Sequence, residues 1–439
     1  MEARGSGEIL VHKGAGVGKH LMIDWAIDLW PLNRSLTGPG VRETISYLRD
    51  LNPELREHTA KTGEEVFDWT VPQEWYVRDA FLEHVETGER FAEFSKSNLH
   101  LVGYSEPVDT VMQLEDLRSR IFTQLDQPDW IPYVTSYYKR TWGFCLSQND
   151  FDALPDGAYR VVVDSELFDG EMLFSDAVLH GENDEEIFFS TYVCHPSMAN
   201  NEISGPVLAS ALMRYIKEVY PKPRFTYRFA FVPETIGSLM YISKNFHYLK
   251  EKVVAGFVLS CVGDERAYSH VESRLGNSLA DDALRAALIG KQNVKSYTFL
   301  QRGSDERQYC APGIDLPVAG FCRSKYGEYP EYHTSADNFD VVTQEGLEGA
   351  LSVMRSIIDA FEVGIFPRVQ VLGEPQLGKR GLYPTLSQKG SHSKISTRMD
   401  LLAYSDGNHN LFEIALKLGS DLSALVQETR LLRDVGILA

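Results

Sequence analysis

Two histidines and two glutamates stand in three short polar phrases, the first two directly behind apolar runs. The phrases are Cys194-His195-Pro196-Ser197-Met198-Ala199-Asn200-Asn201-Glu202-Ile203-Ser204-Gly205, Pro233-Glu234-Thr235-Ile236-Gly237 and Tyr332-His333-Thr334-Ser335-Ala336-Asp337-Asn338. Imidazoles and carboxylates brought together from distant strand ends are the usual material of a hydrolytic zinc site. His195 leaves the β-like run 188–194, where a rigid scaffold fixes a ligand and the following loop leaves a metal accessible. Asn201 and Glu202 follow closely enough to fold back beside it. Glu234 comes straight after Phe229-Ala230-Phe231-Val232-Pro233, a costly place for a charge unless it meets a cation or handles protons. Helix capping is its competing role, which Thr235 could fill instead. Asp337 is placed to orient His333 from behind the imidazole.

The elements that must hold these residues alternate. Strands are expected at 158–163, 186–193, 226–232, 253–260, 296–300 and 317–321, and helices at 206–220, 237–250, 279–290 and 343–362. Such alternation implies a mostly parallel sheet with helices on both faces, and the chemical phrases fall at its strand ends, where open α/β sheets bind ligands. Residues 20–52 have the periodicity of two helices around a polar turn. From about 55 to 145 the chain turns aromatic and β-branched, broken by Pro and Gly, and reads as a β-rich subdomain. The last forty residues read as helix, turn, helix and a final short strand, a winged-helix-like module.

Composition narrows the function classes. With 43 Lys plus Arg against 62 Asp plus Glu, the formal charge of −19 opposes nucleic-acid binding. The candidate recognition helix carries Arg430 as its one base, so the module is expected to serve packing or protein contact. Five cysteines without a repeated spacing do not form a disulfide framework, which points to a reducing cytoplasm. No stretch is apolar enough for a membrane span and no signal-like segment opens the chain. Lys13-Gly14-Ala15-Gly16-Val17-Gly18-Lys19-His20 imitates a phosphate-binding loop but lacks its first glycine and its Ser/Thr, so residues 1–19 read as a flexible leader.

The order His, acidic pair, Glu, His resembles the zinc aminopeptidases of the M28 type and related deacylases and glutaminyl cyclases. More specifically, the chain resembles the DUF4910 and DUF2172 proteins, through Asn33-Arg34-Ser35-Leu36-Thr37-Gly38, Asp68-Trp69-Thr70-Val71-Pro72, Tyr133-Val134-Thr135-Ser136-Tyr137-Tyr138, Gly303-Ser304-Asp305-Glu306-Arg307-Gln308-Tyr309 and Glu374-Pro375-Gln376-Leu377-Gly378-Lys379-Arg380-Gly381. This resemblance implies an aminopeptidase-like α/β domain over 20–60 and 146–372, an inserted β-rich domain over 61–145, and a winged helix over 373–439.

Matched position by position, the resemblance makes His195 and His333 metal ligands and Glu234 the proton acceptor. It also places Asn201, Thr235 and Ser260 where two-zinc enzymes carry acidic ligands. With those charges missing, one zinc per chain is expected, held by His195, His333 and Glu202, with Asn201 as the alternative oxygen donor. Substrate-side candidates are Asn201, Asp305, Arg307, Arg323, Lys325 and Tyr332: Asp305 or Glu202 for an amino group, Arg307 or Arg323 for a carboxylate or phosphate. The expected activity is zinc-dependent hydrolysis of an amide in a small molecule or short peptide. Two alternatives stay open: amide transfer or cyclisation in sugar or natural-product biosynthesis, and a metal-free assembly protein. Homo-oligomerisation is compatible with either.

Overall fold

Strands Glu186–Tyr192 and Thr226–Val232 are buried at every position, which requires cover on both faces and therefore helices above and below. They pair in parallel with each other, and the parallel set continues through Val253–Leu259 and Val318–Cys322. The computed structural model describes residues 21–382 and 391–439, without the side chains of 391–395. The expected leader and the loop-like phrase at 13–20 therefore lie outside the described residues.

Eight strands make the large sheet, in the order Arg56–Lys61, Glu171–Leu179, Thr226–Val232, Glu186–Tyr192, Val253–Leu259, Val318–Cys322, Tyr268–Val271 and Val294–Tyr297. Helix Ser204–Val219 links Glu186–Tyr192 to its neighbour on one side, and helix Ile236–Lys252 then carries the chain back past it to the other. That reversal opens a crevice at the carboxyl ends of the parallel strands. His195, Glu234 and Ser260 all stand at those ends. The expected strand at 296–300 ends earlier, because Val294–Tyr297 pairs with Tyr268–Val271 and Thr298 then begins the short helical turn Phe299–Gln301.

A second sheet joins Glu74–His84 to Ala158–Phe168 along almost their whole lengths, with Arg90–Phe91 and Val108–Gln113 at its edges. It thus takes in a strand from beyond residue 145, the expected end of the β-rich insertion. Long antiparallel pairing with alternating burial keeps that segment here rather than in the large sheet. The two sheets share apolar contacts: Trp75, Leu82 and Val161 belong to the same buried cluster as Phe188, Tyr192 and Cys194.

The C-terminal helices Ser391–Tyr404, Leu411–Leu418 and Leu422–Asp434 turn through Gly419 at φ 59, and the terminal strand is reduced to isolated bridges, Arg368 to Asp406 and Val369 to Leu438. Helix Leu422–Asp434, which a groove-reading module would present outward, packs on the long helix Gln344–Gly364. Leu425, Val426 and Leu432 are buried in one cluster with Met354, Ile357 and Phe361 of the α/β body. Among the described residues, no helix is long and apolar enough to cross a membrane.

Phe412 stands edge-on to Phe361 with ring centroids 5.2 Å apart, and both are fully buried. Phe412→Ala is therefore expected to cost about 3–5 kcal/mol and to lower the melting temperature of the whole chain in one cooperative transition. Calorimetry checks this, and separate melting of the C-terminal helices with the α/β body unaffected would contradict the shared core.

Candidate active site

Strand Glu186–Tyr192 delivers His195 to the crevice, and the chain then tightens into a π-helical turn, Ala199–Ile203, that runs straight into helix Ser204–Val219. A Cβ at Gly205 would strike Thr191 Oγ1 and the Leu259 carbonyl oxygen, so only glycine lets the helix start this close to the strand ends. The free amides of the turn are capped by Asp337, which accepts from Asn200 N at 2.6 Å, Asn201 N at 3.0 Å and the Tyr329 hydroxyl at 2.9 Å. Asp337 therefore orients the Asn201–Glu202 turn, not His333 as the sequence suggested. Burial pushes its carboxyl up to about 6 against the pull of those hydrogen bonds.

Glu202 Oε2 bonds to His195 Nδ1 at 2.9 Å. Beneath the pair, Arg34 Nε donates to the His195 carbonyl at 3.0 Å and lies 3.7 Å from Glu202 Oε1. All three residues are buried. Burial opposes a charge on His195, yet the hydrogen bond and negative charge of Glu202 leave its pKa raised. Desolvation lowers Arg34 to about 10, offset in part by Glu202, so the guanidinium stays charged at neutral pH. With Nδ1 engaged, Nε2 faces the crevice, 3.8 Å from Glu234 Oε2.

Glu234 sits on a γ-turn: Ile236 N donates to the Glu234 carbonyl at 2.8 Å, and Thr235 is forced to φ 66 and ψ −77. Buried Asp305 holds the turn, accepting from Thr235 N at 2.8 Å and the Ser238 hydroxyl at 2.9 Å. Arg307 Nη2 donates to Thr235 Oγ1 at 2.5 Å and approaches Glu234 Oε1 to 3.9 Å. Burial raises the Glu234 carboxyl pKa, with His195 and Arg307 opposing. Asp305 is pushed up to about 7 by burial and by the charge of Glu234. Asp305 thus supports the residue after the acid.

His333 has φ 57, and its ring stacks on Tyr332 at 3.9 Å with an interplanar angle of 13°. Its centroid is 5.4 Å from that of His195. Burial, then the neighbouring His195, lowers its pKa to about 3, so it is a neutral nitrogen donor. The insertion fixes this loop: Tyr133 N donates to the His333 carbonyl at 2.8 Å, and Ser335 N to the Ile131 carbonyl at 2.9 Å. The Tyr133 ring stands 5.1 Å from His333 and 5.4 Å from His195. Sequence reasoning did not single out Tyr133 for the site, although it opens one of the phrases shared with the resembling family.

Arg323 is not with the others. It is buried, donates to the carbonyls of Ala267 at 2.6 Å and Gly346 at 2.8 Å, and lies over the Tyr268 ring. Those contacts make it a brace between loops. Lys325 donates to its neighbour's carbonyl, that of Tyr326, and lies over the Tyr326 and Tyr297 rings.

Among the described residues, the set of three or more His, Cys, Asp and Glu side chains whose donor atoms all lie within 4.8 Å of one another is Cys194, His195 and Glu202. His333 is not in that group, so His195, Glu202 and His333 do not close on one point as expected. Cys194 is held neutral by burial, which pushes its thiol far up, and Glu202 is already engaged by His195 Nδ1 and Arg34. His333 Nε2 and Asn201 Oδ1 are buried without a hydrogen-bond partner, as is Glu202 Oε1, which has Arg34 Nε 3.7 Å away. Orphaned acceptors of this kind cost about 1–3 kcal/mol each unless something binds them. A single cation suits them; Ser260, whose hydroxyl faces Cys322 Sγ, and Thr235 offer no charge for a second.

Comparison with known proteins places this arrangement. Residues 365–439 match the winged helix-turn-helix family. A Clostridium acetobutylicum protein named "Putative polysaccharide biosynthesis protein with aminopeptidase-like domain" is 39% identical over 398 residues, covering 90% of each chain. A crystal structure described as a "putative peptidase" from Clostridium acetobutylicum superposes with a TM-score of 0.87 at 37% identity, over 95% of each chain. The zinc aminopeptidase BSAP of Bacillus subtilis is similar in fold, with a TM-score of 0.55 at 14% identity over 77% of this chain and 94% of its own. The fold is thus aminopeptidase-like α/β with a C-terminal winged helix. Residues 23–364 match the family described as Domain of unknown function (DUF4910), and the chain belongs to that family.

Proposed function

We propose that the protein hydrolyses an amide bond in a small molecule or short peptide, with Glu234 as the proton-transferring group. One zinc ion would be held by His195 Nε2, His333 Nε2 and Asn201 Oδ1. The observation that carries this reading is the pair of facing imidazoles, one anchored through Nδ1 and the other with a buried, unpartnered Nε2, beside an acid of raised pKa. Zinc at that place supplies Lewis acidity toward the scissile carbonyl and toward water. Glu202 is moved by this reading from ligand to orienting partner, because its Oε2 bonds to His195 Nδ1 and its Oε1 is turned toward the Arg34 guanidinium at 3.7 Å.

Glu234 does the proton work. Its carboxylate lies within 3.8 Å of His195 Nε2, and a raised pKa brings it closer to the acidity needed both to take a proton from water and to return it to a leaving amine. Thr235 and Asp305 keep its backbone from drifting. The Tyr332 and Tyr133 rings flank His333 and limit water on that side. A second reading, amide transfer or cyclisation in biosynthesis on the same site, draws support from the name of the 39% identical relative, and trapping of the acyl group by added amines separates it from hydrolysis.

Metal content tests the site. Protein purified without a histidine tag is expected to carry about one zinc per chain, lost in His195→Ala and His333→Ala and retained in Glu234→Gln. Metal-free wild-type protein after incubation with zinc would end the reading. Asn201→Asp, which adds a charge at the neutral oxygen donor, is expected to slow zinc removal by a chelator at least about tenfold; an unchanged rate removes Asn201 from the ligand set.

The pH profile tests the acid. A base works when deprotonated, so turnover is expected to rise with pH through a pKa above the ordinary glutamate value. Glu234→Gln should lower it about 10²–10⁴-fold and flatten that limb. A limb unchanged in the variant would assign the titration to another group.

A further inference from the structure

A cavity of about 250 Å³ opens beside Glu234 and is walled by Leu36, Trp69, Tyr137, Tyr138, Thr235 and Arg307. Its far wall belongs to the insertion, whose aromatic groups here are partly exposed: Trp69 is 39% and Tyr138 55% accessible, with their rings edge to face at 5.9 Å. Exposed aromatic faces beside polar groups suit the CH face of a sugar ring better than an alkyl chain, because the hydroxyl edges of the ring need partners. A second cavity of about 170 Å³ shares Tyr137 and Tyr138 with the first and adds Gln73, Ser136, Lys139 and Arg140. Polar donors thus continue outward from the aromatic wall.

Arg307 supplies the charge. One of its terminal nitrogens, Nη2, is spent on Thr235, while the other, Nη1, is not buried and makes no hydrogen bond to the described residues, the side chain being partly exposed. A guanidinium with an unsatisfied N–H at the edge of a cavity is placed for an oxyanion. The Glu234 carboxylate at 3.9 Å is too far for a hydrogen bond and does not meet that need. Lys139 lines the outer cavity and adds a second positive charge there.

We propose that this cavity is a subsite for an anionic amino sugar, its ring against Trp69 and Tyr138 and its carboxylate or phosphate on Arg307. The proposal rests on the amide-hydrolysis reading only for which bond is presented to Glu234; the binding itself requires neither zinc nor turnover.

The test is calorimetric titration of the full chain, and of Glu234→Gln to prevent turnover, with three probes: N-acetylglucosamine, N-acetylglucosamine 1-phosphate and N-acetylmuramic acid. At least one anionic probe is expected to bind about tenfold tighter than the neutral sugar. Arg307→Gln should abolish that preference, and Trp69→Ala should weaken all three about tenfold. Preference for the phosphate or for the carboxylate identifies the anion. Equal binding of the three probes, no binding of any, or a preference that survives in Arg307→Gln overturns the proposal. Both substituted residues are partly exposed, and unchanged melting temperatures establish that the variants fold. Anionic sugars that bind without being cleaved would leave the subsite standing and count against the hydrolysis reading alone.

Discussion

The ion pair of Arg34 and Glu202 is the constraint on which the site depends. Both side chains are only 1% exposed, so neither charge has water to fall back on, and removal of either partner from such a pair costs about 3–5 kcal/mol. The pair does more than balance charge. Arg34 comes from the turn between the two N-terminal helices, Met22–Leu29 and Pro39–Leu51, and bonds to the carbonyls of both Leu29 and His195. Glu202 comes from the turn that starts the helix on the opposite side of the His195 loop. A strand exit, two helices and a π-helical turn are thereby tied to one imidazole, whose orientation follows from theirs.

The other imidazole is held by a different part of the chain. The segment around Ile131 and Tyr133 pairs with the His333 loop, so the insertion contributes backbone to one half of the site and rings to its approaches. The two histidines thus come from loops behind two strands of the same large sheet, Glu186–Tyr192 and Val318–Cys322, and only the second is braced by the insertion. The insertion is in turn joined to that sheet through the apolar cluster that includes Trp75, Tyr192 and Cys194.

Much of this was legible in the sequence because the polar phrases stand behind continuous apolar runs such as Phe229-Ala230-Phe231-Val232, whose length suits central parallel strands. That His195 and Glu234 come together at one crevice was legible for that reason, whereas His333 stands in a loop well past its strand. The position of Glu202 was identifiable but its side of the ring was not: a carboxylate seven residues after a histidine has the same spacing whether it binds a metal or Nδ1. Asp337 misled because proximity in sequence to His333 says nothing once a residue at φ 57 turns the loop, and its true partners are amides more than 130 positions away. Arg323 misled similarly, since an arginine that satisfies distant carbonyls looks in sequence like one awaiting an anion. The strand Ala158–Phe168 was visible as a strand, but alternating burial alone does not say which sheet a strand joins.

Thr235 shows where the fold has accepted a local cost. A β-branched residue at φ 66 is strained by about 1–3 kcal/mol, and such strain persists only where its surroundings enforce it. Here Asp305, Ser238 and Arg307 do so, immediately after the acid of the site. A glycine would relieve the strain and lose the hydroxyl that Arg307 holds. The chain thus holds a strained peptide directly beside Glu234, and gives up some stability of the whole to fix the backbone at one point.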